Sequence, residues 1–152
     1  MTNTMKSIHI LLIEDNEGDI VLTKEALLDC KIVNTISLVR DGWEAIQYLE
    51  KIELFSESQT PDIIFLDINL PKMDGHQVLN RIKLNHHIKK VPVVIITTSL
   101  SERDKLNSYS DIVTSFITKP IEEFDLLKAF SAIESFGLNI VQLPLKSISH
   151  EA

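Results

Sequence analysis

The chain has 152 residues, of which 44% are hydrophobic and 24% charged, and its formal net charge is −7. This size and composition are typical of one globular domain and exclude a disordered chain. The negative charge argues against nucleic acid or anionic membranes as partners, because both recruit basic surfaces. The single cysteine, Cys30, excludes an internal disulfide and argues against a cysteine-based zinc site, so we expect it to be a small buried apolar residue.

No stretch of the sequence is typical of a leader peptide or a membrane span. The apolar run that follows the first seven residues has only the length of a strand, and the other apolar runs are equally short. We therefore expect a cytoplasmic protein with an N-terminal extension at 1–7, one domain at 8–136 and a tail at 137–152 that is too short for a further domain.

Five short runs predict β-strands. The runs 8–13, 63–66 and 93–96 are almost continuously apolar, which is typical of parallel strands that are buried on both faces. The runs 36–39 and 113–118 alternate apolar and polar residues, which indicates half-exposed strands at the edges of the sheet.

Helical periodicity predicts five helices between and after these strands. Their predicted apolar faces are Leu22, Ala26 and Cys30 in the first helix, Ala45, Leu49 and Ile52 in the second, Gly75, Val78, Leu79 and Ile82 in the third, and Leu126, Phe130 and Ile133 in the last. The segment 101–110 has few apolar residues, so the fourth helix is the least supported. We expect Trp43 and Met73 to be packing residues.

This alternation predicts an α/β fold with a doubly wound parallel sheet of five strands and five helices, in the flavodoxin-like order 2-1-3-4-5. In such a sheet, ligands bind beyond the carboxyl ends of the strands, at the point where the strand order reverses. Here that point lies between strands one and three, so the residues that follow the strands are the candidate site.

Polar residues stand at the ends of the strands around that point. Glu14 and Asp15 follow strand one, Asp67 follows strand three, Thr97 ends strand four and Lys119 follows strand five. Clustered carboxylates repel one another unless a cation neutralises them, and hard oxygen ligands favour Mg²⁺. A carboxylate can accept a phosphoryl group, so we expect Asp67 to be the acceptor. The Lys119 ammonium would then supply a positive charge to the phosphoryl oxygens, and the Thr97 hydroxyl would donate a hydrogen bond to them.

Simpler interpretations apply to some acidic residues taken singly. An acidic pair after a strand can merely introduce a helix, and Asn16 or Asp19 is expected to cap the first helix. Asp74 and Gly75 are expected to form a turn before the third helix.

The ordered set of motifs resembles the receiver domain of two-component response regulators over residues from about 8 to 135. The motifs are Glu14-Asp15, Asp67 to Gly75, Pro92 to Thr97 and Lys119-Pro120. The resemblance implies a CheY-like fold and a signalling module that is not an enzyme beyond its own phosphorylation and dephosphorylation. It implies Asp67 as the phosphoacceptor and Mg²⁺ as the cofactor, bound by the side chains of Asp15 and Asp67, the Asn69 backbone carbonyl and, through water, Glu14.

The same resemblance implies a conformational switch. Thr97 and Phe116 correspond to the switch pair, in which the hydroxyl moves towards the phosphoryl group and the ring turns inward. The Lys119-Pro120 peptide is expected to be cis. Two departures from the family pattern are Thr98, where many relatives have Ala or Gly, and 111–113, where the usual Gly-Ala pair is absent.

The C-terminal residues resemble a particular group of receivers within this family. Residues 133–136 and 139–144 are similar to the tails of single-domain receivers that work with phytochrome-type or other sensor histidine kinases. We therefore expect such a kinase as the partner, no output domain, and a homodimer through the surface of the fourth helix, fifth strand and fifth helix. Phe124 and Leu127 lie off the main stripe of the last helix, so either a partner or the 138–145 tail would cover them.

Two other functions remain open from the residues alone. A haloacid-dehalogenase-type phosphatase uses a similar set of Asp, Thr and Lys, but its nucleophile normally ends the first strand, and this chain has no cap insertion. A pseudo-receiver or flavin-binding relative would act only through binding, yet no phosphate-binding loop follows strand one, where residues 14–17 would repel a phosphate.

Overall fold

The structure is a computed structural model that describes residues 7–99 and 101–134, except the side chain of Glu102. Strands and helices alternate in the order β1 Ile8–Ile13, α1 Glu17–Asp29, β2 Asn34–Val39, α2 Gly42–Leu49, β3 Ile63–Asp67, α3 Gly75–Leu84, β4 Val93–Thr97, α4 Glu102–Lys105, β5 Val113–Thr118 and α5 Glu123–Glu134. Short 3₁₀ turns lie at Glu53–Phe55 and Asn107–Tyr109. The predicted tail and nearly all of the predicted N-terminal extension lie outside the described residues.

All neighbouring strands pair in parallel, and their order is β2-β1-β3-β4-β5. This confirms the predicted doubly wound α/β fold. Because β1 lies between β2 and β3, the chain reverses its direction of winding there, and a crevice opens at the carboxyl ends of β1 and β3.

Burial separates the inner strands from the edge strands, as the sequence pattern predicts. Every residue of β3 and β4 is buried, and β1 is buried except at His9. The edge strands β2 and β5 are mostly half-buried.

Helices cover both faces of the sheet. On one face, Leu27 of α1 and Phe130 of α5 belong to a single apolar core, in which the Phe65 and Phe130 rings lie 6.1 Å apart. On the other face, the core includes Ala45 of α2 and Leu79 of α3. None of the described helices is both long and apolar enough to cross a bilayer.

The predicted apolar faces are confirmed for α3 and α5 but are partly wrong for α1. Leu22 is 42% exposed, whereas the residues that α1 buries are Ile20, Thr23, Ala26 and Leu27. Cys30 is buried as predicted, although it follows the end of α1. Because α1 carries apolar residues around most of its circumference, the spacing of Leu22, Ala26 and Cys30 did not identify the face that meets the sheet.

Two predictions near α2 are also wrong. Ile52 lies beyond the end of α2 and is 40% exposed, and Trp43 is 49% exposed rather than packed. The helix ends at Leu49, one turn earlier than the apolar spacing suggested, so Ile52 does not lie on its face. The start of α2 lies close to the β3–α3 loop, since a Cβ on Gly42 would lie 1.8 Å from the Met73 carbonyl oxygen. Met73 itself packs against the core as predicted.

The helix starts follow ordinary capping chemistry. The Asn16 side chain caps α1 by accepting a hydrogen bond from the Asp19 N–H at 2.9 Å, so Asn16 rather than Asp19 is the cap. Asp74 begins α3 with a reciprocal capping box to Gln77. The fourth helix has only four residues, in line with its weak sequence pattern.

The last helix leaves one apolar side chain outside the core. Phe124 is strongly exposed, whereas Leu127 packs partly against the core. The tail that could cover Phe124 lies outside the described residues, so the choice between a partner and the tail stays open.

Candidate functional site

Strand pairing brings the predicted site residues to one edge of the sheet. Ile13 of β1 pairs with Leu66 of β3, so Glu14 and Asp67 follow side by side at the carboxyl ends of these strands. Lys119 directly follows β5, and its N–H donates to the Thr97 carbonyl at 2.8 Å. The Lys119-Pro120 peptide is cis, as the resemblance implies.

The Lys119 ammonium lies among three carboxylates. Its Nζ is 3.0 Å from Asp67 Oδ2, 3.0 Å from Glu14 Oε1 and 2.7 Å from Asp19 Oδ2. Burial alone would lower the pKa of Lys119, but contacts with the three acids outweigh burial and raise its pKa above the usual value. Lys119 is therefore a fixed cation directly beside the Asp67 carboxylate.

Three acids form a compact cluster at the same place. Oxygens of Glu14, Asp15 and Asp67 all lie within 4.8 Å of one another. Glu14 and Asp67 are buried, while Asp15 is exposed. Burial raises the pKa of Glu14 to about 7, and a hydrogen bond shared with Asp67 adds to the rise, although the contact with Lys119 opposes it. The elevated pKa of Glu14 therefore means that burial and the neighbouring Asp67 carboxyl together outweigh the contact with the Lys119 ammonium.

The acid cluster fits a divalent cation. Glu14 Oε2 accepts a hydrogen bond from the Asn16 N–H at 3.2 Å. Glu14 Oε1 is buried and has no aligned hydrogen-bond donor, even though Lys119 Nζ is within ion-pair distance. Three clustered carboxylates, two of them buried, match the oxygen ligands that hard cations such as Mg²⁺ prefer.

The chain after β3 orients the Asp67 carboxylate. Its Oδ1 accepts a hydrogen bond from the Asn69 N–H at 3.0 Å, and its Oδ2 accepts one from Lys119. The loop is held close to α3, because a Cβ on Gly75 would lie 2.6 to 2.8 Å from atoms of Ile68. Each carboxylate oxygen of Asp67 therefore accepts one hydrogen bond from the protein itself.

The predicted switch residues lie near the site but away from the acid cluster. The buried Thr97 hydroxyl donates to the Ser99 carbonyl at 3.1 Å and accepts from the Ser99 N–H at 3.2 Å, so in this structure it is bonded to the following loop. Phe116 is half-buried in β5, and the Arg103 guanidinium lies 4.9 Å from the centre of its ring.

Asp19 is the residue that sequence reasoning missed. It was considered only as a possible cap for α1, yet its carboxylate makes the shortest of the Lys119 contacts. Asp19 lies in the first turn of α1, where an acidic residue is also an ordinary helix-start feature, so its type and position gave no separate signal. The sequence could not show that α1 turns Asp19 towards the end of β5.

Comparisons with known proteins agree with this geometry. Residues 10–131 match the family model described as the response regulator receiver domain. The response regulator Rcp1 of Synechocystis sp. is 42% identical over 135 residues, which are 89% of this chain and 92% of Rcp1.

Solved structures with similar folds carry related descriptions. The bacteriophytochrome response regulator RtBRR has a TM-score of 0.81 at 33% identity, covering 92% of this chain and 84% of that one. The phosphorylated cyanobacterial phytochrome response regulator RcpA has a TM-score of 0.72 at 38% identity, with 89% and 99% covered. The Mn²⁺-bound form of Rcp1 has a TM-score of 0.70 at 40% identity, with 91% and 99% covered.

Proposed function

Because this chain belongs to the family of response regulator receiver domains of two-component systems, we propose that it is a single-domain phosphorylation switch. A sensor histidine kinase, of a phytochrome-type or hybrid class, donates a phosphoryl group to Asp67 in the presence of Mg²⁺. The observation that carries the proposal is the buried Asp67 carboxylate, which lies 3.0 Å from the Lys119 ammonium and clusters with two further acids.

In the proposed reaction, a carboxylate oxygen of Asp67 forms a bond to phosphorus while the bond from phosphorus to the donor breaks. The donor leaves as a neutral imidazole from a phosphohistidine whose other ring nitrogen carries a proton, or as acetate from acetyl phosphate. The Asn69 N–H orients the carboxylate, and the Lys119 ammonium passes from the carboxylate to a phosphoryl oxygen. Bound Mg²⁺ would neutralise the charge of the acids and the phosphoryl group.

The proposed metal ligands are those that the resemblance to receiver domains implies. The side chains of Asp15 and Asp67, the Asn69 backbone carbonyl and, through water, Glu14 would hold Mg²⁺. The three-acid cluster, two of whose members are buried, supports a hard cation at this place. The Mn²⁺-bound form of Rcp1 supports a divalent ion in a similar protein.

Phosphorylation would then be communicated to a partner surface. The Thr97 hydroxyl would leave Ser99 for a phosphoryl oxygen, and Phe116 would turn inward from its position beside Arg103. The surface formed by α4, β5 and α5 would change its affinity for a partner or for a second copy of the chain. The domain at 8–136, the cytoplasmic location, the homodimer and the exclusion of nucleic acid and membrane as partners stay predictions.

The acceptor is tested with acetyl phosphate as the donor, by counting phosphoryl groups per chain with intact-protein mass spectrometry. We expect the wild type to gain one group when Mg²⁺ is present and none with EDTA, and Asp67→Asn to gain none. The matched control is Asp111→Asn, because Asp111 is exposed beside the amino end of β5, at the opposite edge of the sheet. Equal labelling of Asp67→Asn and wild type would contradict the proposal, as would sustained hydrolysis of a simple phosphate ester.

A further inference from the structure

One carboxylate that contacts Lys119 stands apart from the acid cluster. Asp19 Oδ2 lies 2.7 Å from Lys119 Nζ, closer than the oxygens of Glu14 and Asp67 at 3.0 Å. Yet Asp19 is not one of the acids whose oxygens lie within 4.8 Å of one another. Asp19 therefore bonds the ammonium without belonging to the set of acids that would hold the cation.

The backbone of Asp19 is fixed on both sides. Its N–H donates to the capping side chain of Asn16 at 2.9 Å, and its carbonyl accepts from the fully buried Thr23 hydroxyl at 2.8 Å. The next residue, Ile20, is buried in the core between α1 and the sheet. The Asp19 side chain is only 26% exposed. The fixed start of α1 therefore holds a partly buried carboxylate against Lys119.

The other two partners of Lys119 are needed elsewhere during the proposed reaction. Asp67 becomes an acyl phosphate, and Glu14 and Asp67 would turn towards a bound cation. An ammonium has three N–H donors, so Lys119 can keep one donor on Asp19 while another moves to a phosphoryl oxygen. Asp19 is thus the contact that need not change while the rest of the site does.

We propose that Asp19 is a positioning residue that holds the Lys119 ammonium beside Asp67 during cation binding and phosphoryl transfer, and this proposal rests on the proposed function of Asp67. Without the Asp19 carboxylate, Lys119 would bond only Glu14 and Asp67. It would then compete with the cation for both acids, and it would lose the fixed contact that aims it at the phosphoryl group.

Three variants separate this role from a general effect of charge. Asp19→Asn keeps the size of the side chain but removes its charge, and Asp19→Glu keeps the charge. The matched control is Glu25→Gln, because Glu25 is an exposed acid on the same helix. Circular dichroism and thermal melting confirm that each variant is folded before any comparison.

The first measurement does not depend on phosphorylation. In ¹H–¹⁵N spectra of metal-free protein, we expect the Lys119 ammonium, assigned by its loss in Lys119→Arg, to exchange slowly with water. Asp19→Asn should speed this exchange several-fold, because a neutral amide oxygen accepts from the ammonium more weakly than a carboxylate does. Asp19→Glu should restore slow exchange at least in part. An unchanged Lys119 signal in Asp19→Asn would overturn the proposal.

The second measurement is the initial rate of labelling by acetyl phosphate over a range of Mg²⁺ concentrations. We expect Asp19→Asn to need more Mg²⁺ for half-maximal labelling and to remain about tenfold slower at saturating Mg²⁺, as the loss of the ionic contact between carboxylate and ammonium would predict. Asp19→Glu should recover most of the rate, and Glu25→Gln should match the wild type.

The two measurements distinguish the possible failures. Wild-type labelling rates in Asp19→Asn, or an equal loss in Glu25→Gln, would overturn the role of Asp19 in the reaction. If the wild type itself is not labelled on Asp67, the proposed function fails, and the ammonium spectra still decide whether Asp19 holds Lys119.

Discussion

Glu14 should make the stability of the metal-free protein depend strongly on pH. Its side chain is 0% exposed, and burial together with the shared hydrogen bond to Asp67 raises its pKa from 4.5 to about 7. The folded protein therefore binds a proton on Glu14 more tightly than the unfolded chain does. Protonation favours folding, so the contribution of this proton is complete below the unfolded pKa and is lost as the pH rises through the folded one.

The magnitude follows from the two pKa values of Glu14. A rise from 4.5 to about 7 corresponds to about 3 kcal/mol, because each pH unit between the two values contributes about 1.4 kcal/mol. This is an upper value, since Glu14 shares its proton with Asp67 and the two carboxyls titrate together. The free energy of unfolding should fall by up to this amount between about pH 4.5 and about pH 7 and then level off.

The assay is urea unfolding in EDTA across this pH range, comparing wild type with Glu14→Gln. The amide cannot ionise, so the difference in unfolding free energy between the two proteins isolates Glu14 from the titration of histidines. Glu25→Gln serves as the control, because Glu25 is exposed on α1 and its loss should leave the wild-type profile unchanged. Saturating Mg²⁺ should remove most of the loss at high pH, since a ligand at a hundred times its Kd adds about 2.7 kcal/mol.

A constant difference between wild type and Glu14→Gln across the range would refute this reasoning. It would mean that the buried environment does not disfavour the ionised Glu14 carboxylate. An increase of wild-type stability with pH, relative to Glu14→Gln, would reverse the sign and show that Lys119 stabilises the ionised form more than burial penalises it.

Two further predictions concern packing around the site. Gly75→Ala should lower the free energy of unfolding by about 1–3 kcal/mol in urea titrations, because its Cβ would lie within 2.8 Å of Ile68. Gly18→Ala is the control and should lower the free energy of unfolding by less, because its Cβ would meet only the Asn16 side chain at 3.3 Å. An equal loss in the two variants would contradict the prediction. Arg103→Ala should speed labelling by acetyl phosphate about two- to fivefold, because a cation–π contact of about 0.5–1 kcal/mol no longer holds the Phe116 ring beside Arg103. Arg103→Lys should stay near the wild-type rate, and a slower Arg103→Ala would contradict the expected direction.

The strands and their ends could be predicted because short local patterns of apolar and polar residues indicate them. A strand buried on both faces must be apolar throughout, so the polar residue that follows it marks the edge of the sheet. Asp67 and Lys119 were found in this way, without any knowledge of their distance in space. The order of the strands then followed from which runs were continuous and which alternated.

The helix faces were less predictable because apolar residues on α1 are not confined to one side. Val21, Leu22 and Leu28 are all exposed, although each is as apolar as the buried Leu27. Periodicity could not choose among these residues, since packing against the sheet rather than hydropathy decides which side is covered. Trp43 shows the same limit, because its hydropathy predicts burial but 49% of this residue at the start of α2 is exposed.

The sequence by itself determined the class of fold, the edge of the sheet that carries the polar groups and the residue types available there. These features depend on local periodicities, of two residues in strands and of 3.6 residues in helices. Only the tertiary structure decided how the polar groups are paired. Lys119 meets Asp19 across a hundred positions of chain because α1 packs on the same face as α5 and turns its first residues towards the end of β5. Such a contact depends on the angle and depth at which a helix lies on the sheet, and no local pattern encodes either.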